Sequence, residues 1–465
     1  GTSWGIGGTC VNVGCIPKKL MHHASDLGRQ RRAAVAFGWE EAREKHDWNV
    51  LRDAVASYIH SMNFGYRSAL SEEGVVVVEG EGRGRVVEGG VEVVRDDGGI
   101  VGVLPAKEIV VGVGGRPRGL DGVESGLMLT SDDIFSLPSL PKKVVVLGAG
   151  YVGLELGGFL AGLGCDVSIV VRSKVLRGFD EDVVGKVVED MEKVGVEFVV
   201  GKGVETVRRN EKGNGVEVVL EGGEVVGGDE VVNAIGRDAE LHGLGLDSIG
   251  VEVDERSGKV VGGGVGGNGR SSIATSLTNP HIHVVGDCLQ GNPELTPVAI
   301  ATGKHLSRTL FSPTPPPPLY PSPHLPLPTS PPHLIPTAVF TPLEMAVVGV
   351  SEQEARNMWD DGRMVEVYHL EYNVLEESIG GKEGERCYFK LVTVEDDGGE
   401  ERVVGIHIAG PHASEIIQGF TVAMQLGVTK QQLESTIPIH PTHAEDLINA
   451  NKTKSSGISP KKTSC

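Results

Sequence analysis

Long apolar runs are missing from this chain, and no stretch approaches the about twenty residues that a membrane span needs. Cysteine is scarce as well. The six thiols, at 10, 15, 165, 288, 387 and 465, are too few and too scattered for a secreted disulfide scaffold, and none falls in a C-x2-C zinc spacing. An excess of basic charge is also absent. The formal net charge of −20 argues against nucleic acid and against an anionic membrane surface as partners, and it fits a soluble enzyme. There is no charged or apolar leader and no initiator methionine; Gly1 opens inside a Gly-rich loop, so the sequence is expected to be truncated there, with targeting left open. Internal repeats are lacking. Glycine, by contrast, is plentiful: the 67 glycines are about twice the usual share, and many fall in loops such as 262–267, which read as flexible surface.

Against these absences stands one dense run, Gly7-Gly8-Thr9-Cys10-Val11-Asn12-Val13-Gly14-Cys15-Ile16-Pro17-Lys18-Lys19. Two thiols closing on one helical edge form a strained, short-loop disulfide. Closing so small a loop stabilises little, so the bridge suits a working redox couple better than a staple. The flanking glycines let the backbone approach a large flat ligand, and Lys18 and Lys19 place charge beside a thiolate. Two buried, unrelated thiols are the bland alternative. His22 and His23 read as solvated helix surface rather than as a ligand pair, and no metal site is expected.

A chain of 465 residues holds two to four domains. Helical spacing covers 15–35 and 46–73, where Trp48, Val50, Leu51, Val55 and Ile59 make an apolar face. A β pattern follows at 75–78, 91–94 and 109–113, then the turn Gly114-Gly115-Arg116-Pro117 and a linker over 118–141. Next, Val144-Val145-Val146-Leu147 reads as a buried parallel strand entering Gly148-Ala149-Gly150-Tyr151-Val152-Gly153, with a helix over 154–164 and a strand over 166–171. This places G-x-G-x-x-G in a strand–turn–helix frame, with a dinucleotide pyrophosphate expected at the helix N-terminus.

Where an acid usually meets the ribose hydroxyls of NAD, the chain has Arg172-Ser173 and, one turn on, Arg177. Guanidinium groups suit a 2′-phosphate, which selects NADP(H); two ordinary surface arginines are the alternative. Ala234-Ile235-Gly236-Arg237 closes this domain. Val284-Val285-Gly286-Asp287 is a strand end with an acid, just ahead of a helix opening near Thr296. Asp287 suits a ribityl or phosphate-bearing ligand, and equally an N-cap.

The proline-rich 312–334 cannot join a core and reads as an exposed insert, or as retained intron sequence. A last domain runs from 336 to 447, with strands at 339–341 and 403–408 and helices at 414–426 and 430–435. It ends in Ile439-His440-Pro441-Thr442-His443-Ala444-Glu445. Pro441 holds the backbone extended, so that His440 and Glu445 can face each other across a turn. The carboxylate would fix the imidazole tautomer and raise its basicity, as a thiol-exchange acid/base requires, although any His near a Glu invites that reading.

Together these motifs resemble the pyridine nucleotide–disulfide oxidoreductases, and within them the high-molecular-weight thioredoxin reductases. Gly1-Thr2-Ser3-Trp4-Gly5 is a feature of that subgroup rather than of glutathione reductase. Lys45-His46-Asp47-Trp48, Val175-Leu176-Arg177-Gly178-Phe179-Asp180 and Phe340-Thr341-Pro342-Leu343-Glu344 point the same way. The resemblance covers nearly the whole chain and fades over 79–103, 201–230, 255–275 and the proline insert. It implies an α/β fold with two Rossmann-like dinucleotide-binding domains, the FAD domain N-terminally incomplete, and a C-terminal α+β dimerisation domain. The implied division is 1–140 for the FAD fragment with the redox disulfide, 141–260 for NADPH and 261–311 for a return to the FAD domain. The insert occupies 312–334, the dimerisation domain 335–448 and a C-terminal arm 449–465.

The resemblance also implies roles. NADPH would bind at Gly148, Gly150, Gly153, Arg172, Ser173 and Arg177, with Tyr151 gating the nicotinamide pocket. Lys18 and Glu155 would pair beside the flavin. Gly8, Thr9, Gly114, Gly236, Arg237, Asp287 and Thr296 would complete the cofactor-binding set, with Asp287 and Thr296 on the flavin. Cys15 would lie against the flavin and Cys10 would exchange with the incoming disulfide. His440 and Glu445 would come from the second subunit of a homodimer. The expected activity is NADPH-dependent reduction of thioredoxin or a similar small disulfide protein, in a cytoplasmic setting with an organellar one left open.

Some positions depart from the family pattern. The first FAD-binding βαβ unit would precede Gly1, so the chain as written is expected to bind FAD poorly or not at all. Gly112-Val113-Gly114 stands where the family has Ala-Thr-Gly, and His443 between His440 and Glu445 is expected to compete for the glutamate or add a second base. Cys465 falls where large thioredoxin reductases place the cysteine before selenocysteine, so the natural protein is expected to continue with selenocysteine and one more residue. A tail that merely ends in cysteine is the alternative. Glutathione reductase is the rival enzyme. A non-enzymatic remnant is the rival of another class, and retention of Cys10, Cys15, Lys18, Glu155, Arg172, Arg177, His440 and Glu445 argues against it.

Overall fold

The computed structural model describes residues 4–40, 45–78, 82–124, 126–213, 215–262, 275–314, 316, 334–359, 362–379 and 386–462. The proline-rich stretch lies almost wholly outside them, as does Cys465. The fold is mixed α/β, as the strand–turn–helix pattern implies. Two units are each assembled from three stretches of chain. The first comprises Gly1–Pro17, Asp53–Arg118 and Gly236–Pro321, and the second Lys18–Arg52, Gly119–Ile235 and Ser322–Cys465.

In the first unit, strand Ile109–Val111 runs parallel to Ile282–Val284, and Gly115–Pro117 pairs antiparallel with Arg237–Ala239. Strands Arg83–Val87, Gly90–Val94 and Ile100–Pro105 form an antiparallel meander. One core gathers Val86, Val111, Leu246, Val260, Ile282, Val284 and Leu289 from separate stretches. Burying each such side chain contributes about 1.5–3 kcal/mol, which is what holds these short strands together. The valine run 75–78 does not form the expected strand and is exposed. β-branched residues favour strands only where a neighbour completes the ladder, and no described strand pairs with this run.

The second unit holds a four-stranded parallel sheet in the order Glu230–Asn233, Lys143–Leu147, Asp166–Val171, Val196–Val200. Val144, Val145, Val146 and Leu147 are fully buried, as expected of a strand covered on both faces. Helices Tyr151–Gly162 and Glu181–Lys193 make its crossovers. A three-stranded antiparallel sheet adjoins in sequence, at Val204–Arg209, Val216–Leu220 and Val225–Gly228. Beyond the insert, a five-stranded antiparallel sheet runs Thr337–Val339, Met345–Gly349, Glu401–Ala409, Arg386–Glu395, Val365–Asn373. Helices Ala413–Gln425, Lys430–Glu434 and His443–Ile448 follow it.

The two long N-terminal helices appear as the spacing predicts, at Cys15–Ala34 and Trp48–Glu72. Trp48 and Val55 are buried, but Val50 is exposed, so the apolar face is narrower than the sequence suggests. His22 is buried rather than solvated: it lies 3.6 Å from Glu344 and packs against the Phe340 ring, while His23 is exposed as expected.

Candidate functional site

The glycine-rich turn of the second unit is built for an anionic ligand. Gly148 has φ +98°, and a Cβ there would lie 2.6 Å from the Ala234 carbonyl. At Gly153 a Cβ would lie 2.1 Å from the Gly148 carbonyl, so only glycine lets the helix start this close to the strand. Gly150 is the N-cap of helix Tyr151–Gly162 and supplies no side-chain cap, which leaves the first-turn N–H groups open to an anion. Tyr151 is the first residue of that helix and is exposed.

The strand Asp166–Val171 ends at exposed Arg172 and Ser173, and Arg177 is exposed as well. Leu176, at φ +43°, donates its N–H to the Ala149 carbonyl at 2.9 Å, pinning the arginine loop to the glycine loop. Neither Arg172 nor Arg177 has an ion pair or hydrogen bond among the described residues, whereas Lys174 between them pairs with Glu181 at 2.7 Å. Two unengaged guanidinium groups beside an uncapped helix fit a dinucleotide carrying a 2′-phosphate.

From the same helix, buried Glu155 receives Lys18 Nζ at 2.7 Å and the Phe340 N–H at 3.0 Å, both on Oε1. The Phe340 ring lies 4.3 Å from the Lys18 ammonium and 3.7 Å from that of Lys19. The sequence names Lys18 and Glu155, but not this role of Phe340, which no local spacing announces.

In the first unit the two cysteines lie on successive helices rather than along one. Cys10 is in Gly8–Val13 and Cys15 opens the next helix, with the break at Gly14, where a Cβ would lie 2.9 Å from the Thr9 carbonyl. Cys10 is half-buried and Cys15 exposed. Cys15 Sγ lies 3.8 Å from the Thr296 hydroxyl, at the start of helix Thr296–Phe311. Other thiols differ sharply. Burial pushes Cys165 up to about 12 and also raises Cys288, which suits inert core residues.

Around that pair, Arg237 donates to the Gly115 carbonyl at 2.7 Å and to the Thr9 hydroxyl at 3.4 Å. Gly8, Gly114 and Gly236 all have positive φ, and Gly236 accepts the Arg118 N–H at 2.9 Å. Asp287 sits in a short 3-10 turn after strand Ile282–Val284. Burial and then Glu294 raise its carboxyl, with Lys259 and Arg237 opposing. It makes no hydrogen bond among the described residues, which fits a hydroxylated ligand chain such as that of a flavin nucleotide.

The last pair belongs to the second unit. Glu445 is the third residue of helix His443–Ile448 and caps it with Thr442. It holds His440 Nδ1 at 3.0 Å and 3.1 Å, and the peptide bond between His440 and Pro441 is cis. The imidazole is 70% exposed, so its other nitrogen is open to a substrate. Burial lifts the Glu445 carboxyl, but bonds from His440 and Thr442 and the charge of Lys462 outweigh it and leave it below its ordinary value. His443 faces Glu376 at 3.8 Å and the Tyr372 ring, so Glu445 is not among its partners here. No described group of residues could hold a metal ion, and no described helix is long and apolar enough to cross a membrane.

An uncapped glycine-rich turn, two cysteines on successive helices and a His–Glu pair are parts that an oxidoreductase acting on disulfides would use. The profile of the pyridine nucleotide-disulphide oxidoreductases matches residues 2–303, and that of the family's dimerisation domain matches 335–451. The chain belongs to this family. It is 40% identical to thioredoxin reductase SEP1 of Emiliania huxleyi, in an alignment covering all of this chain and 91% of that protein.

Proposed function

We propose that this chain is an NADPH-dependent, FAD-containing reductase of protein disulfides, with thioredoxin or a similar small protein as substrate, working as a homodimer in the cytoplasm. The observation that carries it is the His440–Glu445 contact at 3.0 Å, found in a chain that also holds Cys10 and Cys15 on successive helices. The full-length likeness to a thioredoxin reductase supports the choice of substrate.

Bound NADPH would supply a hydride, and bound FAD would deliver its electron pair to a disulfide. Gly148, Gly150 and Gly153 would hold the pyrophosphate, with Arg172, Ser173 and Arg177 on the 2′-phosphate and Tyr151 over the nicotinamide pocket. Gly8, Thr9, Gly114, Gly236, Arg237, Asp287 and Thr296 would line the flavin nucleotide, and Lys18 with Glu155 would flank the ring.

Reduced Cys10 attacks the incoming disulfide and forms a mixed disulfide, and the departing thiolate takes a proton. His440 of one subunit would give that proton to the thiolate leaving the disulfide attacked by Cys10 of the other, with Glu445 holding the ring in the right tautomer. Cys15 then attacks Cys10, releases the second thiol and closes the Cys10–Cys15 bridge. In this reading the first acceptor would be a redox pair made by Cys465 with a second thiol or selenol of the C-terminal arm, and the reduced arm would pass the electron pair to thioredoxin. Exposed Val422, Leu426, Ile437 and Ile439 give the last domain an apolar surface that suits pairing with a second copy.

The test is a purified preparation of the full-length protein, with a complete FAD-binding domain, assayed with NADPH; it should be yellow and dimeric. It should reduce thioredoxin, reduce oxidised glutathione only poorly, and develop a long-wavelength band on partial reduction. A preference for glutathione, or a colourless protein, rejects the assignment.

A further inference from the structure

Residues 452–462 fold back along the edge strand Val365–Asn373 of the second unit. The His369 N–H donates to the Lys452 carbonyl at 2.9 Å, and the Lys454 N–H to the Val367 carbonyl at 2.8 Å. After a turn, the Glu371 N–H donates to the Pro460 carbonyl at 2.9 Å, and the Lys462 N–H to the Glu371 carbonyl at 2.8 Å. Two lysines fasten the segment through their side chains. Lys454 Nζ lies 2.8 Å from Asp182 and 2.7 Å from Glu352. Lys462 Nζ lies 2.7 Å from Asp446, which is 5% exposed and follows Glu445 directly in helix His443–Ile448.

That short helix therefore joins two things. One residue of it, Glu445, holds His440, and the next holds the C-terminal segment. We propose that residues 452–462 are a positioning element of the His440–Glu445 pair, in which Lys462, seated on Asp446, sets the charge around the pair. The inference rests on reading His440 as the acid/base of disulfide exchange.

The physical argument concerns one proton on the imidazole. With the segment seated, Lys462 balances Asp446, and its ammonium disfavours a second positive charge on His440. With the segment lifted, Asp446 is left as a bare carboxylate beside Glu445, and the imidazolium is favoured. Seating makes His440 the readier donor, and lifting makes it the readier acceptor. Lys462 already contributes to holding the Glu445 carboxyl low, alongside His440 and Thr442. Around the pair, Thr442 donates its N–H to Glu445 and the charge of Lys462 acts on the Glu445 carboxyl, while Asp446 carries Lys462 and His443 turns to Glu376. Cys465 follows Lys462 by three residues in the sequence, so the arm that carries the thiol would also tune the proton relay that serves it.

The experiment uses the full-length flavoprotein dimer with ring-labelled histidine, and His440 is assigned by the signal lost in His440→Gln. Lys462→Met should raise the His440 pKa by about 0.3–1 unit, Lys462→Arg should leave it unchanged, and Asp446→Asn should lower it. The displacements should shrink as salt is added. A purely structural clamp moves Lys462→Met and Asp446→Asn in the same direction; that result, or no shift in Lys462→Met, overturns the proposal. Failure of the functional reading looks different: His440→Gln would then keep full disulfide reductase activity, whatever the titration of the ring in the Lys462 variants.

Discussion

Lys18 and Glu155 meet at 2.7 Å although 137 residues separate them in the chain. Glu155 is 4% exposed, and the same oxygen also accepts the Phe340 N–H. Two donors thus offset the cost of taking one carboxylate out of water. Lys18→Met removes the cation and strands the buried charge, which costs about 3–5 kcal/mol. Lys18→Met/Glu155→Gln should recover part of that loss, because the amide oxygen still accepts from Phe340 and carries no charge. Urea unfolding of the two single variants and the double one checks it; simple additivity would mean that the two side chains are not coupled.

What the sequence made legible is what is local. The turn Gly148-Ala149-Gly150-Tyr151-Val152-Gly153 could be read because strand periodicity, glycine chemistry and helix start lie within a few residues. The His440–Glu445 contact could be anticipated for the same reason, since five positions separate them. Most of the misreadings are tertiary. Residues 75–78 have strand propensity and no ladder, and His22 is buried because Glu344 and Phe340 arrive from far along the chain. Cys10 and Cys15 looked like one helical edge, but Gly14, with φ −140° and ψ −118°, leaves the helical conformation between them. Phe340 under Lys18, and Lys462 on Asp446, left no trace in any window of sequence.

Lys390 is fully buried and lies 2.8 Å from Asp180, 2.7 Å from Asp182 and 2.6 Å from Glu352. Burial pushes the Asp182 and Glu352 carboxyls up, but the bonds from Lys390 and Lys454 outweigh it and hold both at about 2. Their folded values lie below the ordinary 3.8 and 4.5, so the stability they contribute is complete above that range and lost as pH falls towards about 2. Lys390→Met should cost about 3–5 kcal/mol at neutral pH, because it leaves Asp180 buried without its cation. It should also flatten the fall in melting temperature on acidification. Lys454→Met, at a site one-third exposed, should cost about 1 kcal/mol or less. Thermal melts from neutral pH down into the acid range separate the two variants; equal losses would contradict the burial argument.

Arg172 and Arg177 differ from Lys174 between them in having no carboxylate to satisfy them among the described residues. The Leu176 N–H on the Ala149 carbonyl holds their loop at the mouth of the glycine turn. A charge-assisted bond from each guanidinium to a 2′-phosphate is worth about 1.5–3 kcal/mol, or roughly ten- to hundredfold in affinity. Arg172→Gln and Arg177→Gln should therefore each raise KM for NADPH by about tenfold or more, with kcat nearly unchanged, because the lost contact is made equally in ground and transition states. NADH lacks the phosphate, so its KM should stay where it is. Parallel steady-state measurements with the two cofactors decide the matter: if KM for NADH climbs in step with that for NADPH, the arginines shape the loop rather than read the phosphate.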